Sequence, residues 1–200
     1  MTTDETIIEE LHIKLESSST IDSTNNDDDD DKTYSLKEKF HEIDGGAALS
    51  NDGLMAKYCF RTLSKYPIIY GYKRYSYGTH HIHFQIEKRG DLRFFFGIIT
   101  SLEKVSRIMS TDIDNKSLYG WWDLNSIVVN GKVQRNKEKN HIEKNDELTL
   151  ILKCDDQQIE LEHCRTKRLL KLSIDIILCP FPWKIVVELP SYGDCIHIIQ

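Results

Sequence analysis

Three potential metal ligands lie close together in the segment THHIHFQIE, residues 79–87. His81 and His83 are two residues apart, and Glu87 follows four residues later. Imidazole and carboxylate groups at such spacing can bind Zn²⁺, Fe²⁺ or Mn²⁺. Side chains two apart also share one face of a β-strand, so the same pattern describes a polar, solvent-facing strand surface. The direction in which this strand faces decides between the two interpretations.

The apolar residues of the segment set the direction of the strand. Ile82, Phe84 and Ile86 alternate with His81 and His83, so the two sets point to opposite faces. Burying each large apolar side chain stabilises the fold by about 1.5–3 kcal/mol, and a shift of one residue would expose all three. The pattern therefore predicts that the apolar set faces the core and that the histidines face outward.

An enzymatic alternative remains for the same three ligands. Their spacing is similar to the first motif of the cupins, in which His-x-His and a later Glu bind a metal inside a barrel. That motif also has a glycine six residues before the first His and another seven after the Glu, where this chain has Tyr75 and Phe94. A cupin-like metal-dependent enzyme using His81, His83 and Glu87 is thus the alternative to a polar surface strand.

Short β-like segments with turn residues between them fill the chain from residue 54 to its end. Asn130-Gly131 between β-branched residues predicts a tight hairpin, and further hairpins are expected within 154–163 and 188–199. Residues 42–53 are rich in turn residues. The best helical pattern, 101–109, either places Leu102, Val105 and Met109 on one helical face or forms a loop with one turn. Many short strands indicate an all-β sandwich or barrel. The strand segments are 54–60, 80–86, 93–100, 126–129, 147–154, 158–164, 184–189 and 194–199.

Acidic residues are concentrated at the N-terminus. Residues 1–31 contain eleven Asp and Glu against the single base Lys14, although the whole chain carries only −6 at pH 7. Residues 5–16 have an apolar helical stripe, whereas 17–31 lack periodicity and end in five aspartates. We predict a mostly disordered acidic tail over 1–33, with a possible short helix at 5–16, and a folded domain over 34–200. The aspartate run either solvates the tail or contacts a basic partner.

Charge and cysteine usage exclude several classes of function. Residues 32–200 carry a net charge of +4, too little for a nucleic-acid-binding surface. The five cysteines form no CxxC pair, which predicts free thiols without structural zinc or a disulfide framework. The acidic N-terminus lacks the apolar segment of a secretory signal, and no apolar run reaches the ~18 residues of a membrane span. We expect a cytoplasmic or nuclear protein with no membrane or nucleic-acid partner and no cofactor.

With its phase set, the segment YGTHHIHFQI resembles the G-x-H-Y-W-E-V-E-V strand of the SPRY domain. That domain occurs in tripartite-motif ubiquitin ligases and many other intracellular proteins. Gly78 and His80 match the Gly and His of the motif, and Ile82, Phe84 and Ile86 take its inward apolar places. Ile82 replaces the Trp of the motif, which makes this a divergent SPRY-like sequence.

Later segments resemble SPRY motifs in the order of that family. Gly97 falls at the glycine of the next strand, and Asp146 and Leu152 fall at the Asp and Leu of a later hairpin. Lys153 and Gln157 depart from that hairpin, and the L-D-P motif of the longer PRY-SPRY form is absent. The resemblance implies a bent antiparallel β-sandwich of the concanavalin-like jelly-roll type. The matching segments are 93–100, 117–124, 144–163 and 179–199.

The resemblance also implies a non-catalytic module that binds a protein or peptide through loops at one end of the sandwich. In multidomain relatives such a module selects the target of an attached ubiquitin ligase, so an adaptor role in ubiquitin-linked or signalling complexes is implied. Tyr, Trp and Arg favour interfaces, although at least one neighbouring tryptophan is expected in the core. The candidate partner-binding residues are Tyr72, Arg74, Tyr75, Trp121, Trp122 and Tyr192.

A third class of function is glycan binding or cleavage, because the SPRY fold is similar to that of legume lectins. Glu160 and Glu162 share one outward face, but a retaining glycosidase needs two carboxylates about 5–5.5 Å apart. Alternating acids of this kind are usually solvated. We identify no catalytic residue, no nucleotide-binding loop and no metal site in the favoured interpretation.

Overall fold

The computed structural model describes residues 37–60, 66–105, 108, 115–135 and 141–200. Their regular structure is entirely β, in two seven-stranded antiparallel sheets. In spatial order, the first sheet contains β1 (Phe40–Asp44), β4 (Ile68–Gly71), β13 (Trp183–Glu188), β6 (Phe95–Thr100), β7 (Tyr119–Trp122), β8 (Ser126–Val129) and β9 (Lys132–Arg135). The second contains β12 (Arg168–Ser173), β11 (Gln158–His163), β10 (Glu147–Lys153), β5 (Thr79–Lys88), β14 (Cys195–Ile199), β3 (Met55–Tyr58) and β2 (Ala47–Leu49).

This architecture confirms the predicted all-β sandwich and each of the eight predicted strand segments. Although residues 42–53 are rich in turn residues, β1 and β2 occupy much of that range, and these two strands were not predicted. β4 and β12 were also missed. The predicted tail over 1–33 and its possible helix at 5–16 lie outside the described residues. No helix in the described part of the chain has the length and apolar character needed to cross a bilayer.

The predicted phase of β5 is confirmed. Ile82, Phe84 and Ile86 are buried, whereas His81 and His83 are exposed on the outer face of the second sheet. β5 lies between β10 and β14 near the middle of that sheet. Its central ring, Phe84, lies 5.5 Å from the ring of Phe96 and 6.3 Å from that of Phe40, both in the first sheet. The apolar half of the opening motif therefore forms the centre of the inter-sheet core.

The first sheet is covered on its outer face as well. A second apolar cluster there includes Tyr70, Phe95 and Trp122 of the sheet, with Val105 and Ile108 from the segment between β6 and β7. The Val105 amide donates a hydrogen bond to the Tyr70 hydroxyl at 2.9 Å. Burial on both faces explains why Phe95–Ile99 of β6 and Ile185–Val187 of β13 do not alternate between apolar and polar residues.

Over the described residues of 101–109, the structure contradicts the helical alternative and agrees with the alternative of a loop with one turn. Residues 101–105 form a turn followed by irregular backbone, and residues 106, 107 and 109 lie outside the described part. Leu102 is 91% exposed while Val105 is buried, so these two residues do not share an apolar face. This segment instead contributes single side chains to the outer cluster of the first sheet.

Two glycines permit the close approach of β6 and β7. Gly97 pairs directly with Gly120 across these strands. A Cβ at Gly97 would lie 2.1 Å from the Tyr119 carbonyl oxygen, and one at Gly120 would lie 2.2 Å from the Phe96 carbonyl oxygen. No side chain fits at either place without moving backbone, which gives a steric reason for the glycine of the RFFFGIIT segment.

Two of the three predicted hairpins are confirmed. β8 and β9 flank Asn130-Gly131, whose φ angles of 52° and 72° are those of a type I′ turn, and β10 pairs with β11. The third prediction was wrong, because β13 and β14 lie in different sheets. Residues 189–194 cross between the sheets instead of closing a hairpin.

The loops collect at two opposite ends of the sandwich. β5 has ten residues and therefore spans about 33 Å between them. We call one the Glu38 end, which contains residues 37–39, 72–79, 154–157 and 200. The other is the Asp194 end, which contains residues 45–46, 59–60, 88–94, 123–125 and 189–194.

Candidate partner-binding surfaces

Three of the six predicted contact residues belong to the core. Trp121 and Trp122 lie on opposite faces of β7, and both are buried because both faces of the first sheet are covered. Tyr75 is only 3% exposed, and its backbone pairs with that of Trp183. We therefore withdraw Tyr75, Trp121 and Trp122 from the predicted contact set.

The three remaining residues are exposed but do not form one surface. Tyr72 and Arg74 lie at the Glu38 end, just before β5. Tyr192, which is 55% exposed, lies at the Asp194 end in the segment that crosses between the sheets. The length of β5 separates them, so a single partner loop cannot contact all three.

The crossing segment at the Asp194 end is held by one buried carboxylate. Asp194 accepts hydrogen bonds from the amides of Gly90 and Ser191, both at 2.7 Å. Burial raises the pKa of Asp194 to about 6, since the charged form loses its hydration there. The Gly193 amide also bonds to the Tyr58 carbonyl at 3.0 Å. These bonds fix the backbone on both sides of Tyr192.

A second buried acid fixes the neighbouring loop. Asp123 accepts a hydrogen bond from the Phe94 amide at 3.0 Å and forms a salt bridge with Arg89 at 3.0 Å. Burial raises the pKa of Asp123, against the opposing effect of the Arg89 guanidinium. Loop 88–94 is therefore attached both to the 123–125 turn and, through Gly90, to Asp194.

Exposed apolar side chains stand on this fixed backbone. Tyr192 packs edge-on against the ring of Tyr58 at 5.9 Å, yet more than half of its surface stays exposed. Leu92 is also exposed. Its amide donates a hydrogen bond at 3.1 Å to the Oγ of Ser191, the residue that precedes Tyr192. Phe60, two residues after Tyr58, is 65% exposed at the same end. We call Phe60, Leu92 and Tyr192 the apolar patch of the Asp194 end.

At the Glu38 end a different carboxylate organises the loop before β5. Glu38 Oε1 accepts hydrogen bonds from the amides of Lys39, Tyr72 and Lys73 at 2.8, 2.9 and 3.2 Å. The Tyr75 hydroxyl donates to Oε2. Burial, together with the charge of Glu38, raises the pKa of Tyr75 far above its usual range, so this phenol stays protonated and acts as a donor.

The similarity of this chain to known proteins is found in its structure and not in its sequence. No protein-family model matches the chain, and no curated protein matches its sequence. The TRIM65 PSpry domain superimposes with a TM-score of 0.62 at 12% identity, over 82% of this chain and 92% of that one. The SPRY domain of human HERC1 gives 0.63 at 11% identity, over 80% and 97%. This chain has the SPRY fold.

The fold also occurs within a larger protein. Stonustoxin gives a TM-score of 0.57 at 13% identity, with 80% of this chain matching 27% of that chain. The sequence resemblance to SPRY motifs is thus confirmed at the level of fold. In this SPRY fold the signature strand is β5, and its inward residues are those that the motif predicted.

The three residues of the cupin-like alternative point outward from the SPRY sandwich. The rings of His81 and His83 stack with centroids 6.4 Å apart, and His83 Nδ1 lies 3.0 Å from the Thr149 hydroxyl. Glu87 instead lies near His197, 3.8 Å from its Nδ1. Within the described ranges, no group of three or more His, Cys, Asp or Glu side chains is arranged to hold a metal ion.

One of the two glutamates considered for glycan cleavage, Glu160, is engaged in ion pairs. Glu160 accepts from Lys153 at 2.9 Å and from Lys171 at 3.0 Å across the outer face of the second sheet. Burial raises the pKa of Glu160, but the two lysines outweigh it and lower the pKa overall. A carboxylate held ionised by two cations is unsuited to act as a general acid.

A hydroxyl, an imidazole and a carboxylate are linked by hydrogen bonds in one part of this fold. His163 is fully buried, with Nδ1 2.8 Å from the Thr166 hydroxyl and Nε2 2.8 Å from Asp146 Oδ2. Asp146 also accepts hydrogen bonds from Arg165 and from the Glu143 amide. Because Thr166 and Arg165 belong to the β11–β12 turn, these contacts lock that turn against the loop before β10. Sequence reasoning placed Asp146 in the family hairpin but did not find this network.

Proposed function

We propose that the chain is a non-catalytic protein-recognition module that binds a protein or peptide partner through the Asp194 end. The observation that carries this proposal is the apolar patch of Phe60, Leu92 and Tyr192, in which Leu92 and Tyr192 lie on loops fixed by buried carboxylates. A tyrosine that is both exposed and held in place loses little conformational entropy on binding, which favours a role as an interface anchor. Loops on a rigid sandwich are common positions for binding residues.

The SPRY fold supports the class of function. The TRIM65 PSpry domain and the SPRY domain of human HERC1 have the same fold, and the resemblance of the sequence to SPRY motifs implies protein recognition. In this proposal Tyr192 keeps its predicted role as a contact. Tyr72 and Arg74 lie at the other end and serve a different surface. The finer role, a substrate-recognition adaptor in ubiquitin-linked or signalling complexes, is part of the same proposal.

The experiment compares partner capture by three versions of the full chain. The wild type, the double variant Tyr192→Ala/Leu92→Ala and the control Leu102→Ala are immobilised, and bound proteins are quantified by mass spectrometry. Leu102 is a matched control because it is an apolar side chain, 91% exposed, that lies outside the apolar patch. We expect a partner that wild type and control retain equally and the double variant loses.

The affinity for that partner is then measured with purified proteins. Truncating a central interface anchor costs about 2 kcal/mol, which corresponds to an affinity about 30-fold lower for the double variant. Circular dichroism verifies that all three proteins are folded. The same partners bound with the same affinity by all three would refute the Asp194 end as the recognition surface.

A further inference from the structure

The Glu38 end contains an open groove that the proposed function does not use. A cavity of about 590 Å³ lies along the loop before β5, between Tyr72, Arg74 and Tyr77. A second of about 340 Å³ continues from it over the start of β5, towards His81 and His83. The two share Lys73, Tyr75 and His80 as lining residues, so they form one continuous groove.

The charges that line this groove are unbalanced. Lys37, Lys73 and Arg74 supply three cations, and His80, His81 and His83 add imidazole groups. Glu38 is the only carboxylate side chain among the described lining residues. It is buried, and three amides and the Tyr75 hydroxyl already donate hydrogen bonds to it. The side chains that reach the open groove therefore offer positive charge and hydrogen-bond donors.

The Arg74 guanidinium is anchored on one side only. Its Nη1 donates to the carbonyls of Gly71, Tyr72 and Lys73 at 2.9–3.0 Å, which curls the loop around it. Within the part of the chain that the structure describes, its Nε and Nη2 have no hydrogen-bond acceptor. A guanidinium held in this way is suited to a carboxylate, because its remaining N–H groups are already oriented.

Aromatic rings form the walls and floor. Tyr72 is braced by the His41 ring at 5.2 Å and by Lys39 Nζ at 5.1 Å from its centroid, which brings a fourth cation to the margin. On the floor, the His80 ring lies 4.7 Å from Tyr75. His80 Nε2 lies 2.7 Å from the Tyr77 carbonyl, which can only accept, so this nitrogen carries the hydrogen. The groove is therefore preformed.

We propose that this groove binds an acidic, extended peptide segment of a protein partner. Complementary charge favours such a segment, and the aromatic walls can pack against its backbone and side-chain methylenes. The groove has a volume in the range of peptide and small-ligand sites. A nucleic acid fits less well, since the folded part has only a small positive net charge and its cations are confined to one end. This site is independent of the apolar patch, which lies at the other end.

The test uses the full chain and a fluorescein-labelled decaglutamate peptide, with binding followed by fluorescence anisotropy at low salt. We expect saturable binding that weakens about tenfold or more between 20 and 300 mM salt, because the contacts are solvent-accessible charges. The double variant Lys73→Ala/Arg74→Ala should bind at least about tenfold more weakly, as expected for the loss of two charge contacts.

The matched control is Lys57→Ala/Lys88→Ala, which removes the same charge from exposed positions on the second sheet, away from the groove. It should bind the peptide as wild type does. A single variant, Arg74→Glu, retains a long polar side chain and gives a second test if the double variant is unfolded. It should also bind the peptide at least about tenfold more weakly than the wild type. The variant Tyr192→Ala/Leu92→Ala should bind decaglutamate normally, which separates this site from the proposed function.

Several results would overturn the proposal. Equal losses in the groove variant and the matched control would show that binding depends only on net charge. Absence of saturable binding to the wild type would also refute it. Tighter binding of a labelled oligothymidine, lost in the same groove variants, would assign the groove to nucleic acid instead.

Discussion

The two ends of the sandwich are each organised by one buried carboxylate, but they present opposite chemistry to solvent. At the Glu38 end the carboxylate binds three amides and the Tyr75 hydroxyl, which draws that tyrosine inward. Cations are left on the surface. At the Asp194 end the carboxylate binds only two amides, and the aromatic side chain beside it, Tyr192, points outward.

We propose that this difference corresponds to two separate kinds of recognition. A fixed apolar patch favours a partner that buries aromatic surface, and its affinity should depend little on salt. A groove lined by cations favours an acidic segment, and its affinity should fall as salt screens the charges. In both proposals the buried acid positions its loop and does not itself contact the partner.

The largest effect should follow from removing the Glu38 carboxylate. Glu38→Ala leaves three amides and the Tyr75 hydroxyl without their acceptor, so we expect the free energy of unfolding to fall by about 3 kcal/mol. Urea denaturation checks this. The control is Glu42→Ala, since Glu42 is a partly exposed strand residue whose partner, Lys104, is well exposed. That variant should lose less than about 1 kcal/mol. Equal losses would show that Glu38 does not organise its end.

A smaller loss should follow from removing the Tyr75 hydroxyl alone. Tyr75→Phe keeps the buried ring but deprives Glu38 Oε2 of its donor, so we expect a loss of about 1.5 kcal/mol of unfolding free energy. The matched control is Tyr72→Phe, where the ring is partly exposed and no loss above about 0.5 kcal/mol is expected. An unchanged free energy of unfolding in Tyr75→Phe would contradict the proposed contrast between an inward and an outward tyrosine.

The Asp194 end should show the smallest effect, and it depends on pH. The folded-state pKa of Asp194, about 6, lies above the ordinary aspartate pKa of 3.8. The stability that its protonation contributes is therefore fully present below pH 3.8 and is lost as the pH rises through 6. Between pH 5 and pH 7 the loss amounts to about 1 kcal/mol.

The comparison with Asp194→Asn isolates this contribution, because the amide cannot ionise. Unfolding free energies are measured by urea denaturation at pH 5 and pH 7 for both proteins. The wild type should lose about 1 kcal/mol more than the variant over this interval. An identical pH dependence in the two proteins would show that the ionisation of Asp194 is not coupled to folding.

The sequence predicts strands well where one face is buried and the other is polar. β5 alternates clearly because its outer face is exposed, and its inward residues were found correctly. β1 and β2 were missed because Gly45, Gly46 and the polar residues around them have turn chemistry. β4 was missed because its four residues are buried on both faces and give no alternation.

Long-range pairing limits what local patterns can show about the site. The local sequence pattern of two strands and a turn is the same whether 189–194 closes a hairpin or crosses between the sheets. Only the pairing of β14 with β3 and β5, which are distant in the sequence, shows that this segment crosses. The sequence therefore could not place Tyr192 at the end opposite to Tyr72 and Arg74. Similarly, Trp122 is buried in a cluster on the outer face of the first sheet, to which Val105 and Ile108 contribute from outside the strands.

The organising carboxylates had weak signals in the sequence. Asp194 falls in the Gly-Asp pair of the closing SPRY-like segment, so the resemblance pointed to the position but not to its role. Glu38 has no local pattern, because three of its four donors come from residues more than thirty positions later. Tyr77 lies in the same tyrosine-rich run as Tyr72 and could have been included from composition alone.

Site-specific photo-cross-linking tests the central claim most directly, that the chain recognises a protein through the Asp194 end. A photoreactive phenylalanine analogue replaces Tyr192 in one full-length protein and Leu102 in another, a residue that is 91% exposed away from the patch. After irradiation in cell extract, we predict one discrete protein adduct at position 192, lost when Leu92→Ala is added, and none of that partner at position 102. The same adducts from both positions, or none from position 192, would contradict the account.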